Sequence, residues 1–235
     1  MRSYRLGLLV CGHVHPDAVP IAGDYPRLFR SLLAPLGIEL VEFAADRGVL
    51  PASLDECDGW ITSPARASVN DNEPWIADVE DIVRRLVAEE RRFVGICFGH
   101  QLLARALGGR VERAPNGWGV GAQRYDVVNR FRWMDPPADQ VVLVASHEDQ
   151  VTLLPEGACL VARSEHCPNA MFAVGERAIG IQAHPELSAE ISAALIDLRA
   201  ELIGAAAATA GRASLVTPLD RRTVARWIAG FLSGP

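Results

Sequence analysis

The sequence predicts an α/β fold: a mostly parallel central sheet with helices on both faces and a small antiparallel extension. Three observations predict it. Short apolar runs of buried-strand type alternate with helix-period segments up to Gly109, which is βαβ alternation and therefore parallel pairing. One strand-to-helix junction carries the pattern Gly95-Ile96-Cys97-Phe98-Gly99-His100-Gln101, whose two glycines suit an abrupt turn. Beyond Gly109 the helical period gives way to short β-like runs, as an antiparallel addition requires.

Taken in order, residues 6–11 form the first buried strand; the run is too short for a secretory apolar segment, and no small-residue cleavage site follows. Asp24 is the N-cap of the next helix with Pro26 just inside it, and Tyr25, Leu28, Phe29, Leu32 and Leu33 fall on one face. Pro35 and Gly37 end that helix. Residues 38–43 and Gly59-Trp60-Ile61-Thr62 read as the second and third strands. From Pro74 onward Trp75, Val79, Ile82, Val83 and Leu86 recur at helical spacing, and 92–96 is a fourth buried strand that feeds the cysteine turn. The helix after the turn, 101–107, stops at Gly108-Gly109.

The short β-like runs, among them 140–146, 159–163, 171–174 and 178–183, are where the sheet acquires its antiparallel extension. Ser188 starts a helix in which Ile191, Leu195, Leu198 and Leu202 are expected to be buried, and the Ala-rich segment 204–213 is a linker or a helix extension. A capping-box-like Thr217-Pro218-Leu219-Asp220 starts the last helix, with Val224, Trp227, Ile228 and Phe231 on its inner face.

Composition narrows the class of protein. With 235 residues, 49% apolar and 22% charged, the chain suits one large soluble α/β domain. A net charge of -6 argues against a nucleic-acid or anionic-membrane partner, and no run approaches the ~18 apolar residues of a membrane span. The five cysteines, Cys11, Cys57, Cys97, Cys159 and Cys167, are odd in number and contain no Cys-x-x-Cys pair, which fits a reducing cytoplasm.

Cys97 is the candidate nucleophile. The flanking glycines remove Cβ atoms that would clash in a tight strand-to-helix turn, and the first helical turn offers unpaired N–H groups and a positive dipole end that favour thiolate. In a parallel sheet this position, the carboxyl end of a strand, is where active sites form. A cysteine nucleophile needs a base and a group to orient that base. Of the six histidines, His184 stands out, because it follows the strand-like 179–183 and its neighbour Pro185 keeps it extended at the strand's rim. Glu186, two residues on, can hold the imidazole tautomer. His13, His15 and His166 lie near cysteines, but no pair has zinc-ligand spacing, so neither metal nor cofactor is expected. His100 is assigned to packing of the helix after the elbow, and Trp118, among Gly117, Gly119 and Gly121, to a close-packed loop near the pocket.

The elbow and Gln182-Ala183-His184-Pro185-Glu186 together closely resemble the class I glutamine amidotransferases, the Cys-His-Glu triad family, and in particular stand-alone proteins similar to the glutaminase half of GMP synthase. The resemblance runs from the first strand to about Leu202. It implies a flavodoxin-like fold, with 1–203 as the catalytic domain and 204–235 as a linker and helix packed on it. It further implies Cys97 as nucleophile, His184 as general base and acid, and Glu186 as the orienting carboxylate. The family's glycine-rich oxyanion turn corresponds to Thr62-Ser63-Pro64, which lacks glycine; the expected oxyanion donors are the N–H groups of Ser63 and Phe98, since Pro64 has none. Ser146-His147-Glu148-Asp149 is similar to the segment that holds the α-amino end of glutamine, so His147, Asp149 and Gln101 are expected at the substrate.

The implied activity is hydrolysis of the γ-carboxamide of glutamine through a Cys97 thioester, with ammonia passed to a separate acceptor synthetase. Two alternatives stand beside it. One is a free-standing γ-glutamyl peptide hydrolase; the other is a non-catalytic regulatory or binding protein that retains the fold.

Overall fold

The computed structural model of the protein describes residues 3–234, so the outermost residues of the expected 1–203 and 204–235 segments lie outside the described residues. The amino-terminal part alternates strand and helix: β1 (Tyr4–Leu9), α1 (Val19–Ala22), α2 (Tyr25–Leu33), β2 (Ile38–Phe43), β3 (Gly59–Thr62), α3 (Pro74–Ala88), β4 (Phe93–Ile96) and α4 (Phe98–Ala106). Seven strands follow: β5 (Arg110–Arg113), β6 (Gly119–Val127), β7 (Gln140–His147), β8 (Asp149–Leu153), β9 (Ala158–Arg163), β10 (Met171–Val174) and β11 (Ala178–Ile181). Helices α5 (Ala189–Leu198), α6 (Ala200–Ile203), α7 (Ala205–Ser214) and α8 (Arg221–Ser233) complete the chain.

One nine-stranded sheet runs β2-β1-β3-β4-β11-β10-β9-β6-β7, with a separate β5–β8 pair. The β2-β1-β3-β4-β11 part is parallel and the remainder antiparallel, so the extension continues the parallel sheet as well as forming the small second one. β11 inserts beside β4 in parallel after the chain's long excursion through β5 to β10. This insertion matters for the site, because the segment after β11 emerges next to the segment after β4.

Strand side chains divide by alternation between two cores. Leu6, Leu8, Val94 and Ile96 face the layer that holds α2, α5 and α8, whereas Leu9 and Phe93 face α3 and α4. Local signals act as their chemistry dictates. The Asp24 carboxylate accepts from the N–H groups of Tyr25 and Val14 at 2.8 and 2.9 Å, and Ser188 Oγ accepts from Ile191 N–H at 3.3 Å.

Several features depart from the sequence expectations or choose between them. The longest strand, β6, has no counterpart among the expected runs; its glycine-rich start hides the alternation, and Gly121 takes φ +79° where a Cβ would sit 2.3 Å from the Gly211 carbonyl oxygen. The Ala-rich segment is helix α7, which reaches β6 through that close approach. The last helix begins at Arg221 instead of Thr217, because the Asp220 carboxylate accepts from Val142 N–H on β7 at 2.8 Å and does not cap the helix. Leu198 and Leu202 are 41% and 66% exposed, since the helix breaks at Arg199 and turns them away from the core.

Candidate active site

Cys97 follows β4 directly and precedes α4 directly. Its backbone takes φ 50° and ψ −97°, a conformation that a non-glycine residue adopts only under constraint. The constraint is visible on both sides. A Cβ on Gly95 would come 2.3 Å from the Gly99 carbonyl oxygen, and one on Gly99 would come 1.7 Å from Thr62 Oγ1. The glycines thus serve close packing, while the cysteine itself carries the strained turn. Cys97 N–H donates to Ile181 C=O at 2.8 Å, which ties the elbow to the end of β11.

From that end the chain delivers three side chains. Gln182 is fully buried and its Nε2 donates to Cys97 Sγ at 3.6 Å. His184, 2% exposed, is fixed by its backbone N–H to Val144 C=O at 2.9 Å. Its Nδ1 donates to Glu186 Oε1 at 2.7 Å, so a neutral imidazole would present Nε2 as its unprotonated face. Nε2 makes no ordinary hydrogen bond in this structure, and the charge and hydrogen-bonding capacity of Cys97 act on the imidazole from close by. Burial alone would lower the His184 pKa, but Glu186 first and Cys97 second outweigh it and raise it to about 10. The loop is held from behind by Arg221, which donates to the carbonyls of Pro185 and Glu186 at 2.9 and 2.8 Å.

The cleft at this point has a volume of about 290 Å³ and is lined by Cys97, Phe98, Gln101, His147, Asp149 and His184, among others. One wall is polar. Gln101 Nε2 donates to Asp149 C=O at 2.8 Å and to Gln182 Oε1 at 3.1 Å, and Asp149 Oδ2 accepts from Ser68 Oγ at 2.5 Å. His147 Nδ1 meets Asp149 C=O at 3.1 Å; burial pushes this imidazole down to about 3 and keeps it neutral. Arg113 approaches Glu148 at 3.3 Å and Asp149 at 4.0 Å. The expected substrate residues Gln101, His147 and Asp149 therefore lie together in one wall.

Ser63 is the exception. Its N–H donates to Leu9 C=O at 3.0 Å, prolonging the pairing of β3 with β1, and its hydroxyl accepts from Cys11 N–H at 2.8 Å. That N–H is committed in this arrangement, which corrects its expected place beside the Phe98 N–H in an oxyanion hole. The 64–68 segment instead lines the cleft. Four residues went unrecognised in the sequence: Gln182, Ser68, Arg199 and Tyr25. Gln182 lies inside the triad motif, where a buried amide before the histidine was a usable signal; the other three are recruited from distant segments with no local mark.

The remaining histidines have other partners. His13 pairs with Asp24 and with Asp46, His15 approaches Asp17 at 3.8 Å, and His166 packs edge-on to His147. His100 is fully buried against Phe172. Among the described residues no group of three or more His, Cys, Asp or Glu side chains is placed to hold a metal.

The chain is 30% identical over 184 residues to gamma-glutamyl peptidase 3 of Arabidopsis thaliana, covering 74% of each. It is 45% identical over 95 residues to a GMP synthase (glutamine-hydrolyzing) of Bacillus mycoides, covering 40% of this chain and 18% of that one. A glutamine amidotransferase structure from Thermotoga maritima shares the fold, with a TM-score of 0.77 at 20% identity over 99% of this chain and 97% of that one. The model of the family described as glutamine amidotransferase class-I matches residues 28–196, and the chain belongs to that family.

Proposed function

We propose that the protein hydrolyses γ-glutamyl amide bonds through a Cys97 thioester, glutamine being the smallest such substrate. The observation that carries this reading is the His184 imidazole, bonded through Nδ1 to Glu186 and turned toward Cys97 at a strained elbow. The sulfur attacks the γ-carbonyl carbon as thiolate, leaving the imidazole protonated, and the oxyanion forms beside the Phe98 N–H, one of the first-turn donors that a helix leaves without an intrahelical partner. His184 gives its proton to the departing nitrogen as the C–N bond breaks. Water, deprotonated by His184, then attacks the thioester carbon, and glutamate leaves as the C–S bond breaks.

The polar wall supports recognition of the glutamyl half. Asp149 is a carboxylate suited to the α-ammonium, and Arg113 beside it is suited to the α-carboxylate. Release of ammonia to a separate synthetase is the second reading, and the segment similar to GMP synthase favours it. The similarity to a γ-glutamyl peptidase over 74% of both chains favours a substituted amine.

The test compares wild type and Cys97→Ala on glutamine and γ-glutamyl dipeptides, with and without cell extract. Wild type is expected to release glutamate unaided, with Cys97→Ala reduced roughly a millionfold, the cost of losing a triad nucleophile. Turnover of glutamine only on addition of a partner would install the second reading. Equal turnover by Cys97→Ala would end both.

A further inference from the structure

The leaving nitrogen must stand next to His184, because that imidazole supplies its proton. Whatever substituent the nitrogen carries therefore extends toward the residues that flank His184 and Glu186. Besides the Asp149 side, the cleft is lined by Tyr25, Leu187, Leu195, Arg199 and Leu202. Strand alternation in β7 separates the two parts. His147 turns toward Asp149, whereas its neighbour Ser146 turns toward Arg199, accepting from its guanidinium at 3.2 Å.

This second part of the cleft has features that ammonia does not need. Tyr25, Leu187 and Leu195 are 4%, 1% and 3% exposed and give it an apolar body. Leu202 lines it as well, yet is 66% exposed, an apolar rim at the mouth. Arg199 is half-buried, and among the described residues its guanidinium donates to the neutral Ser146 hydroxyl and has no carboxylate within ion-pair distance. On the Asp149 side, Arg113 is already placed against Glu148 and Asp149. The Tyr25 hydroxyl has no hydrogen-bond partner among the described residues, and the charges of Glu186, Arg199 and Cys97 all act on it. The cleft next to the triad is thus lined by a phenol hydroxyl with no described acceptor and by a guanidinium with no described carboxylate partner.

The geometry points to a leaving-group subsite in this part of the cleft that selects γ-glutamyl amides whose amine is an apolar amino acid with a free α-carboxylate. The apolar side chain lies against Leu187, Leu195 and Leu202, and the carboxylate accepts from Arg199, with the Tyr25 hydroxyl within the same compartment. The assignment rests on the γ-glutamyl amide reading above and sharpens it. It also accounts for the exposed Leu202 beyond the α5–α6 break, where burial against substrate replaces burial in the core. The cleft volume of about 290 Å³ sits near the lower bound of ~300 Å³ for sites that enclose larger ligands.

The experiment measures kcat/KM for γ-glutamyl-leucine, γ-glutamyl-leucinamide and γ-glutamyl-glycine. Wild type is expected to prefer the free carboxylate over its amide by about tenfold or more, and leucine over glycine by about tenfold. Arg199→Gln is expected to bring the first ratio close to one while the second persists, and Arg199→Lys to retain part of the first. A wild-type carboxylate-to-amide ratio near one would overturn the subsite, as would an Arg199→Gln enzyme in which both substrates fall by the same factor. If that variant does not fold, product inhibition of wild type by leucine but not leucinamide carries the same test, and equal inhibition by the two overturns it. Efficient but indiscriminate turnover sinks the subsite alone. Absence of any γ-glutamyl turnover, with no adduct on Cys97 from an electrophilic glutamine analogue, would remove the broader reading as well.

Discussion

Cys11 and Cys97 occupy comparable places in opposite surroundings. Both lie just past the carboxyl end of a parallel strand, and they are 2% and 6% exposed. The Cys11 thiol donates to Leu9 C=O at 3.4 Å, so its surroundings hold the proton on; burial, reinforced by the Asp46 charge, pushes its pKa far above the ordinary thiol range. Cys97 accepts at sulfur from Gln182 Nε2 and stands beside a histidine that Glu186 helps to keep protonated. A strand end alone does not distinguish the proposed nucleophile from a structural cysteine. The polarity of the hydrogen bonds reaching the sulfur, and a cation within reach, make the difference.

The largest expected effect is on alkylation. In the native protein Cys97 should react with iodoacetamide at least about a thousandfold faster than Cys11, since Cys97 lines the cleft while burial holds the proton on the Cys11 thiol. Peptide mapping of partially modified protein would measure this. Comparable labelling of the two would break the comparison.

Next comes Glu186→Gln, which keeps the shape but removes the charge that orients and protonates His184. Turnover should fall by about a hundred- to ten-thousandfold, the range for losing the carboxylate of a triad. Alkylation of Cys97 at neutral pH should also slow, because the Glu186 charge that helps keep the neighbouring imidazole protonated is lost. Unchanged kinetics would show that Glu186 contributes packing only.

The smallest effect applies the same contrast to imidazoles. His100 and His147 are buried without a carboxylate, and desolvation lowers both to about 3. Below the unfolded value of ~6.5 the unfolded chain takes up protons that these two folded residues refuse, so stability should fall with pH by about 1.4 kcal/mol per unit for each, down to about pH 3. His184 runs the other way. Its raised folded value means its contribution is fully present below ~6.5 and is lost as pH rises toward about 10. Urea unfolding at pH 7.5, 5.5, 4.5 and 10 would read both flanks, and a flat acid limb would contradict the burial of His100 and His147 as neutral groups.

Much of the molecule was legible because its signals are local. Gly95 and Gly99 announce the elbow through the contacts a Cβ would make, and Pro185 leaves His184 extended just beyond β11. Helix α3 shows its inner face in the spacing of Val79, Ile82, Val83 and Leu86. Strand β6 was illegible, since Gly119 and Gly121 dilute its alternation and its register is supplied by β7. The same holds for Ser63. Its residue type permitted an oxyanion donor, but the Leu9 carbonyl that takes its N–H belongs to a strand 54 positions earlier in the chain.

By itself, the sequence determined the parallel alternation, the strained cysteine turn and the His184–Glu186 pair, since each depends on steric and hydrogen-bonding preferences among residues a few positions apart. Only the tertiary structure decided that β11 lies beside β4, that Gln182 reaches the sulfur, and that Arg199 and Tyr25 line the same cleft as His184. Those facts depend on which distant segments pack together and on which donors the packing leaves unmatched, and no local pattern of residues encodes either.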